Sequence, residues 1–318
     1  MQQNSRQLSD TRSSEGVLLR IANSSRAIAL AVTTLFLPAG IVSAQPTPTL
    51  NATPVAEAQA IVPRPPQIAA SSYILLDART GKVIVEENAD VQLPPASLTK
   101  IMTAYIAEVE IDNGNMSLDD EVHISEKAWA TQGSKMFVDV NSKVRVEDIL
   151  RGIIIQSGND ASKAIAEHMA GSEAGFAKLM NAEAQRLGMS KTQFVNPTGL
   201  PDPAHKSSAR DLAILARAII RDGSEYYPIY AEREFKYNGI KQGNRNALLY
   251  TDPTVDGLKT GHTAEAGYCL VTSSKRNNMR LISVILNTNS PQARADQSRT
   301  LLGWGFGSFE KTTPIQPD

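Results

Sequence analysis

A chain of 318 residues is long enough for one large domain or two modest ones with a sizeable core. Its 42% hydrophobic and 20% charged residues suit a folded globular protein, and a net charge of −1 without a long basic run gives no reason to expect nucleic acid as a partner. A single cysteine, Cys269, excludes an internal disulfide and a cysteine zinc site, and four histidines without ligand spacing argue against a metal.

Along the chain, Arg6, Arg12, Arg20 and Arg26 precede the apolar run AIALAVTTLFLPAGIV (27–42), with small residues Ser43 and Ala44 after it. That order spells a secretory signal over 1–44, with an uncleaved anchor as the alternative. The run is shorter than the ~20 residues a spanning helix needs. An exported, periplasmic or cell-envelope protein is expected. Residues 45–67 contain six prolines and read as an extended linker. A folded domain is expected over 68–312, with a tail at 313–318.

SYILLDA (72–78) and KVIVEEN (82–88) read as strands joined by Arg79-Thr80-Gly81. A helix is predicted from Ser97 to about Glu110, with Ser97 as a candidate cap. Its apolar positions, Leu98, Ile101, Met102, Tyr105, Ile106 and Val109, form one stripe. Helices at 144–156 and 160–170 flank Ser157-Gly158-Asn159. Another at 175–187 ends at Gly188, and one at 208–223 opens with Ser208 and Asp211 in capping-box spacing. Strands at 266–274 and 280–288 form a hairpin, and 291–306 reads as a helix with Pro291 in its first turn. Early and late strands are expected to share one antiparallel sheet, flanked by helices and a mainly helical insertion. The fold class is α+β, with a site in the cleft between sheet and insertion.

Three short motifs follow one another at long spacing: Ser97-Leu-Thr-Lys100, Ser157-Gly-Asn159 and Lys259-Thr260-Gly261. Each alone has a structural reading, as helix cap, turn or strand end. Together and in this order they point to chemistry. Ser97 and Lys100, three apart on a helix, share a face. A serine hydroxyl becomes a nucleophile when a neighbour takes its proton, which a neutral lysine can do. Moving a lysine pKa from 10.4 to near 7 costs about 4–5 kcal/mol. Burial and a second cation, expected to be Lys259, both push that way.

These residues resemble the serine-type D-alanyl-D-alanine carboxypeptidases, the low-molecular-mass penicillin-binding proteins of the β-lactamase/transpeptidase-like superfamily. The blocks IIIQSGNDASKAIAEHMAG, QFVNPTGL, SSARDLA, FKYNGI, NRNALLY, VDGLKTGHTAEAGYCL and LLGWGF extend the likeness over nearly all of the predicted domain. The resemblance implies removal of the terminal D-alanine from peptidoglycan stem peptides through an acyl-enzyme, with β-lactams as covalent inhibitors and no cofactor. Ser97 is similar to the nucleophile, Lys100 to its proton acceptor, and Ser157 to the hydroxyl relaying a proton to the leaving group. Asn159 matches the residue that binds the substrate amide, and Lys259 the electrostatic partner of the site. Thr260 and Gly261 lie on the strand edge that pairs with substrate. The backbone N–H groups of Ser97 and His262 would form the oxyanion hole. The His262 side chain either contacts substrate or flanks the site. Arg294 stands where the family places an arginine near the terminal carboxylate.

Alternatives are a β-lactamase, a DD-endopeptidase or transpeptidase, and a non-catalytic wall-binding protein. A class A β-lactamase needs a glutamate between the second and third motifs. Residues 190–205 hold only Asp202 as an acid, and Glu234 and Asn238 fall later, in a strand-like run. Cys269 is expected as a buried small hydrophobe. His123, His168 and His205 are read as surface or satisfied polar groups, Glu121 and Glu126 as solvated. Many members of the resembled family continue into a β-rich domain and an amphipathic anchor. No such pattern precedes Asp318, so membrane association stays open.

Overall fold

The computed structural model describes residues 63–223 and 225–309. The expected leader, residues 45–62 of the expected linker and the tail lie outside them. Two hairpin strands, β1 (Ser72–Asp77) and β2 (Val83–Glu87), open the fold. A 3₁₀ turn, Ala96–Leu98, leads into α1 (Thr99–Asp112). Then come β3 (Glu121–His123), the one-turn α2 (Glu126–Trp129), β4 (Lys143–Arg145), α3 (Val146–Ile154), α4 (Asn159–Ala170), α5 (Glu173–Leu187) and α6 (Ala209–Asp222). After a 3₁₀ segment, Tyr227–Ala231, the hairpin β5 (Glu234–Tyr237) and β6 (Ile240–Gly243) and the one-turn α7 (Leu248–Thr251) lead back to the sheet. β7 (Val255–Thr263), β8 (Gly267–Arg276) and β9 (Met279–Thr288) complete it, and α8 (Pro291–Phe309) closes the described chain.

The main sheet has the order β2-β1-β9-β8-β7, antiparallel throughout. Early and late strands share it, and the fold is α+β. Both faces are covered, which is why β1 and β9 spell near-continuous apolar runs. Alternate residues part to opposite sides. Tyr73, Leu75, Leu281 and Ile285 pack with Leu301, Leu302 and Phe306 of α8. Ile74, Leu76, Ile282, Val284 and Leu286 face the larger core shared with α1, α3, α4 and α6. The caps read from sequence form: Ser208 Oγ accepts from Asp211 N at 3.1 Å, and Gly188 ends α5 with φ +83°. Among the described residues no helix is long and apolar enough to cross a membrane.

Three local expectations change. The helix predicted from Ser97 begins at Thr99, and Ser97 lies in the preceding 3₁₀ turn without capping it. Ala96 takes φ +48°, a left-handed kink that swings Ser97 off the helix axis. The apolar stripe of α1 is real but understates its burial, because Thr99, Lys100, Thr103, Ala104, Ala107 and Glu108 are buried as well. Polar residues on the second face thus mark a helix at the centre of the fold rather than one at its surface. Finally, residues 143–145 pair with β3 instead of extending α3, since Val144 alternates inward between two exposed neighbours.

Candidate active site

The three motifs meet at the start of α1. Lys100 is 1% exposed, and its Nζ lies 3.1 Å from Ser97 Oγ, 2.7 Å from Asn159 Oδ1 and 2.6 Å from Thr198 O. The last two atoms can only accept. The Asn159 amide is oriented by its own Nδ2, which donates to Gln132 O at 2.7 Å. A neutral amine has two N–H groups and one lone pair. The two acceptors take both N–H groups, so the lone pair is left for the Ser97 O–H. Burial first, then the charge of Arg245, pushes Lys100 down to about 7. The assisting cation is therefore Arg245 and not the expected Lys259. Lys259 is itself buried and driven well below the ammonium range, by desolvation first and by Lys100 next.

Lys259, on β7, donates to Ser157 Oγ at 2.9 Å and to Thr260 O at 3.1 Å. Ser157 is held at φ +59° between α3 and α4, a conformation that costs a non-glycine residue about 1–3 kcal/mol and fixes where its hydroxyl points. Two residues on, Asn159 opens α4 and donates its N–H to Ser134 O at 2.7 Å. Residues 132–137 thus form one wall of the cleft. Asp160 organises that wall by accepting the N–H groups of Met136 and Phe137, both at 3.0 Å. Arg245 crosses to the same wall, its Nη1 donating to Ser134 Oγ at 2.8 Å.

The opposite support is the loop that delivers Thr198 O. Asn196 Oδ1 accepts from the N–H groups of Thr198 (3.1 Å) and Gly199 (2.8 Å) and from the Thr198 hydroxyl (2.9 Å). His205 clamps this loop to α1. Val195 N–H donates to its Nδ1 at 3.0 Å, so Nε2–H donates to Thr99 Oγ1 at 2.7 Å. Burial pushes His205 down to about 4, keeping it neutral. Gly199 has φ +80°, and a Cβ there would meet Ala96 O at 1.8 Å. Gly199→Ala is expected to cost about 3 kcal/mol or more, read as a lowered unfolding midpoint together with slower acylation by penicillin.

β7 is an edge strand of the main sheet. It approaches the nucleophile turn so closely that a Cβ at Gly261 would come within 3.0 Å of Pro95 O and 3.3 Å of Leu98 N. Arg294 lies buried on α8, with Nη1 donating to Gly261 O at 3.2 Å. Among the described residues it has no carboxylate partner, so most of its donors are spare. His262 is exposed, stacks on Tyr268 at 3.9 Å and places Nδ1–H on Gly267 O at 3.0 Å.

Ser97, Lys100 and Asn159 thus share one hydrogen-bonded cluster and Ser157 and Lys259 a second, the two lysines close enough to feel each other's charge, with Thr260, Gly261 and Arg294 on the strand and helix beside them. Three contributors were not singled out from the sequence: Arg245, Asp160 and Thr198. Arg245 lies inside the block NRNALLY, which was the only sequence signal for it. Of the weighed alternatives, Glu234 pairs with Lys241 on an exposed strand, and Asn238 bonds Asp139 Oδ2 at 3.0 Å. Cys269 is buried and pushed up to about 11, an inert thiol.

Residues 59–290 match the family described as D-alanyl-D-alanine carboxypeptidase. The chain is 48% identical over 252 residues to DacA of Haemophilus influenzae, named a D-alanyl-D-alanine carboxypeptidase, covering 77% of this chain and 64% of that one. It spans 64–65% of the length of such curated relatives. A crystal structure of penicillin binding protein 5 from Haemophilus influenzae superposes with TM-score 0.75 at 46% identity, covering 77% of this chain and 72% of the other. An ampicillin-bound penicillin-binding protein of Listeria monocytogenes gives TM-score 0.70 at 30% identity, over 76% of this chain and all of its own (100%).

Proposed function

The chain belongs to the D-alanyl-D-alanine carboxypeptidase family, and from that premise we propose that it is a serine peptidase that removes the terminal D-alanine of peptidoglycan stem peptides. The observation that carries this reading is the set of contacts at Lys100, whose two obligate acceptors leave the amine lone pair for Ser97. The stem peptide lies along the free edge of β7 and pairs its backbone there, as an added strand. Arg294 and Lys259 receive the terminal carboxylate, and the Asn159 amide binds the substrate amide.

Acylation follows from the geometry. Ser97 passes its proton to Lys100 Nζ, and Oγ forms a bond to the penultimate carbonyl carbon. The carbonyl oxygen takes the negative charge and is held by the N–H groups of Ser97 and His262. Ser157 passes a proton from the lysine pair to the D-alanine nitrogen, the C–N bond breaks, and D-alanine leaves. Water then attacks the ester, returning the proton to Ser97 Oγ. A β-lactam acylates the same oxygen, but its ring-opened leaving group stays attached.

Slow release of that adduct is supported by what the 195–201 loop turns toward Lys100, a backbone carbonyl at Thr198 and not a carboxylate. The basic, apolar and small-residue order of residues 6–44 supports export to the cell envelope. The deciding assay is D-alanine release from a diacyl-Lys-D-Ala-D-Ala peptide, with benzylpenicillin as inhibitor and a fluorescent penicillin to trap the adduct. Release that penicillin blocks, with a persistent adduct, is expected. In a parallel digest of cross-linked peptidoglycan, cleaved cross-links without free D-alanine would make it an endopeptidase, and rapid penicillin turnover would make it a β-lactamase.

A further inference from the structure

Glu108 is a fully buried glutamate in the middle of α1, the helix that carries Lys100. The buried Asp211 carboxylate takes an N–H from Lys191 and a hydroxyl from Thr192, both at 2.7 Å. Glu108 receives only a single phenol, the Tyr230 O–H, at 2.9 Å to Oε1. Among the described residues its Oε2 has no hydrogen-bond partner, and it lies 2.5 Å from where a Cβ at Gly223 would sit. A buried carboxyl served by a single neutral donor is one the fold holds as the acid.

Its partner reaches the other half of the site. Tyr230 stacks on Tyr227 with ring centroids 5.6 Å apart. Both rest on β7: a Cβ at Gly257 would meet Tyr227 Oη at 3.0 Å and Tyr230 Cβ at 3.4 Å. Tyr227 O–H donates to Asp256 Oδ1 at 2.9 Å, and Arg280 Nη1 donates to the same oxygen at 2.7 Å. Asp256 and Gly257 lie three and two residues before Lys259 on that strand.

We propose that Glu108 is a positioning residue: through Tyr230 and Tyr227 its buried carboxyl braces the helix bearing Lys100 against the strand bearing Lys259. The inference rests on the serine-acylation reading above. The groups facing Glu108 are Asp112 on its own helix, Tyr230 and Tyr227 on the 3₁₀ segment, and Tyr226 just before it, which is itself bonded to Asp112. At the end of α6, Arg221 and Asp222 are engaged with each other and Asp222 with Tyr105. Among the described residues no cation offsets the burial, which, with Asp112, pushes Glu108 up to about 8. Above that pH the brace carries an uncompensated buried charge, and the two lysine-bearing elements lose their fixed spacing.

The test compares wild type, Glu108→Gln and Tyr230→Phe for the rate of acylation by a fluorescent penicillin from pH 6 to 10, each normalised to its own maximum. Unfolding midpoints are taken on the same samples and extended down to pH 4. Wild type is expected to lose rate above about pH 8, whereas Glu108→Gln, which cannot ionise, keeps about ten-fold more of its maximum at pH 9. The midpoint has a defined sign: a carboxyl raised from 4.5 to about 8 loses stability between those values. Wild type should therefore fall behind Glu108→Gln over that window and stay level beyond it. Tyr230→Phe removes a bond that favours the ionised form, so its alkaline limb should move to higher pH. It also carries the test should Glu108→Gln not fold. Superimposable pH profiles and parallel midpoints would overturn the proposal. A wild type that forms no adduct at all would sink the serine reading instead, and the midpoint comparison would still judge Glu108.

Discussion

Ser97→Ala abolishes the penicillin adduct and lowers D-alanine release by at least about 10³-fold, while the unfolding midpoint hardly moves. The size follows from the chemistry. Without an oxygen nucleophile the two-step route closes, and only binding and oxyanion stabilisation remain. Among the described residues no second hydroxyl bonds Lys100, and Ser157 Oγ is held by Lys259 at 2.9 Å instead. The small effect on stability follows from the packing. Ser97 is half-buried, it caps no helix, and among the described residues its hydroxyl is hydrogen-bonded only to the Lys100 amine. Variants lacking only such a contact usually stay within about 0.5 kcal/mol of wild type. Gel fluorescence after penicillin labelling and thermal unfolding of the same preparation check both halves. Retained D-alanine release in this variant would remove Ser97 from the mechanism, and a lost fold would leave the serine with a structural role.

The sheet was legible because its strands spell out their burial. Covering both faces forces apolar residues at consecutive positions, so SYILLD and RLISVIL stand out, and polar turns mark where the chain reverses. The helix start at Ser208 and the stop at Gly188 were legible for a similarly local reason. The site was legible only where side chains carry it. Ser97, Lys100, Ser157, Asn159 and Lys259 are letters in the sequence, whereas the acceptor that helps set the protonation of Lys100 is the backbone oxygen of Thr198. Any residue type could have supplied it. Left-handed Ala96 and Ser157 were hidden likewise, since neither residue type signals that conformation. Arg245 and Glu108 act across 145 and 122 residues of chain, on Lys100 and with Tyr230 respectively. Neither has a local pattern. Glu108 lies off the apolar stripe read from the sequence, and its burial emerges only with that of Thr99–Glu108 as a whole.

Lys100 is expected to set the acid limb of acylation. With its amine at about 7, the neutral fraction rises ten-fold per pH unit below that value and saturates above it. Penicillin acylation should follow the same curve until the alkaline limb begins. Lys100→Arg should lose at least about 10³-fold at every pH, because a guanidinium stays protonated throughout and no alkaline rescue exists. Lys100→Met tests the same protonation state through stability. The folded state holds this amine at about 7, whereas the unfolded chain returns it to 10.5. Between those values the unfolded state binds the extra proton, so stability rises with pH across the window and is lost as pH falls toward 7. The full shift corresponds to about 5 kcal/mol at most, by 1.36 kcal/mol per unit. Methionine removes that titration but leaves Thr198 O and Asn159 Oδ1 unpaired, each costing about 1–3 kcal/mol. At pH 7 the two effects oppose, and the variant should be close to wild type. At pH 10 the wild-type amine has recovered its stability, and the variant should be weaker by several kcal/mol. Urea unfolding at the two pH values measures that divergence. If both proteins instead change in parallel, Lys100 is charged in the folded state and cannot be the base that activates Ser97.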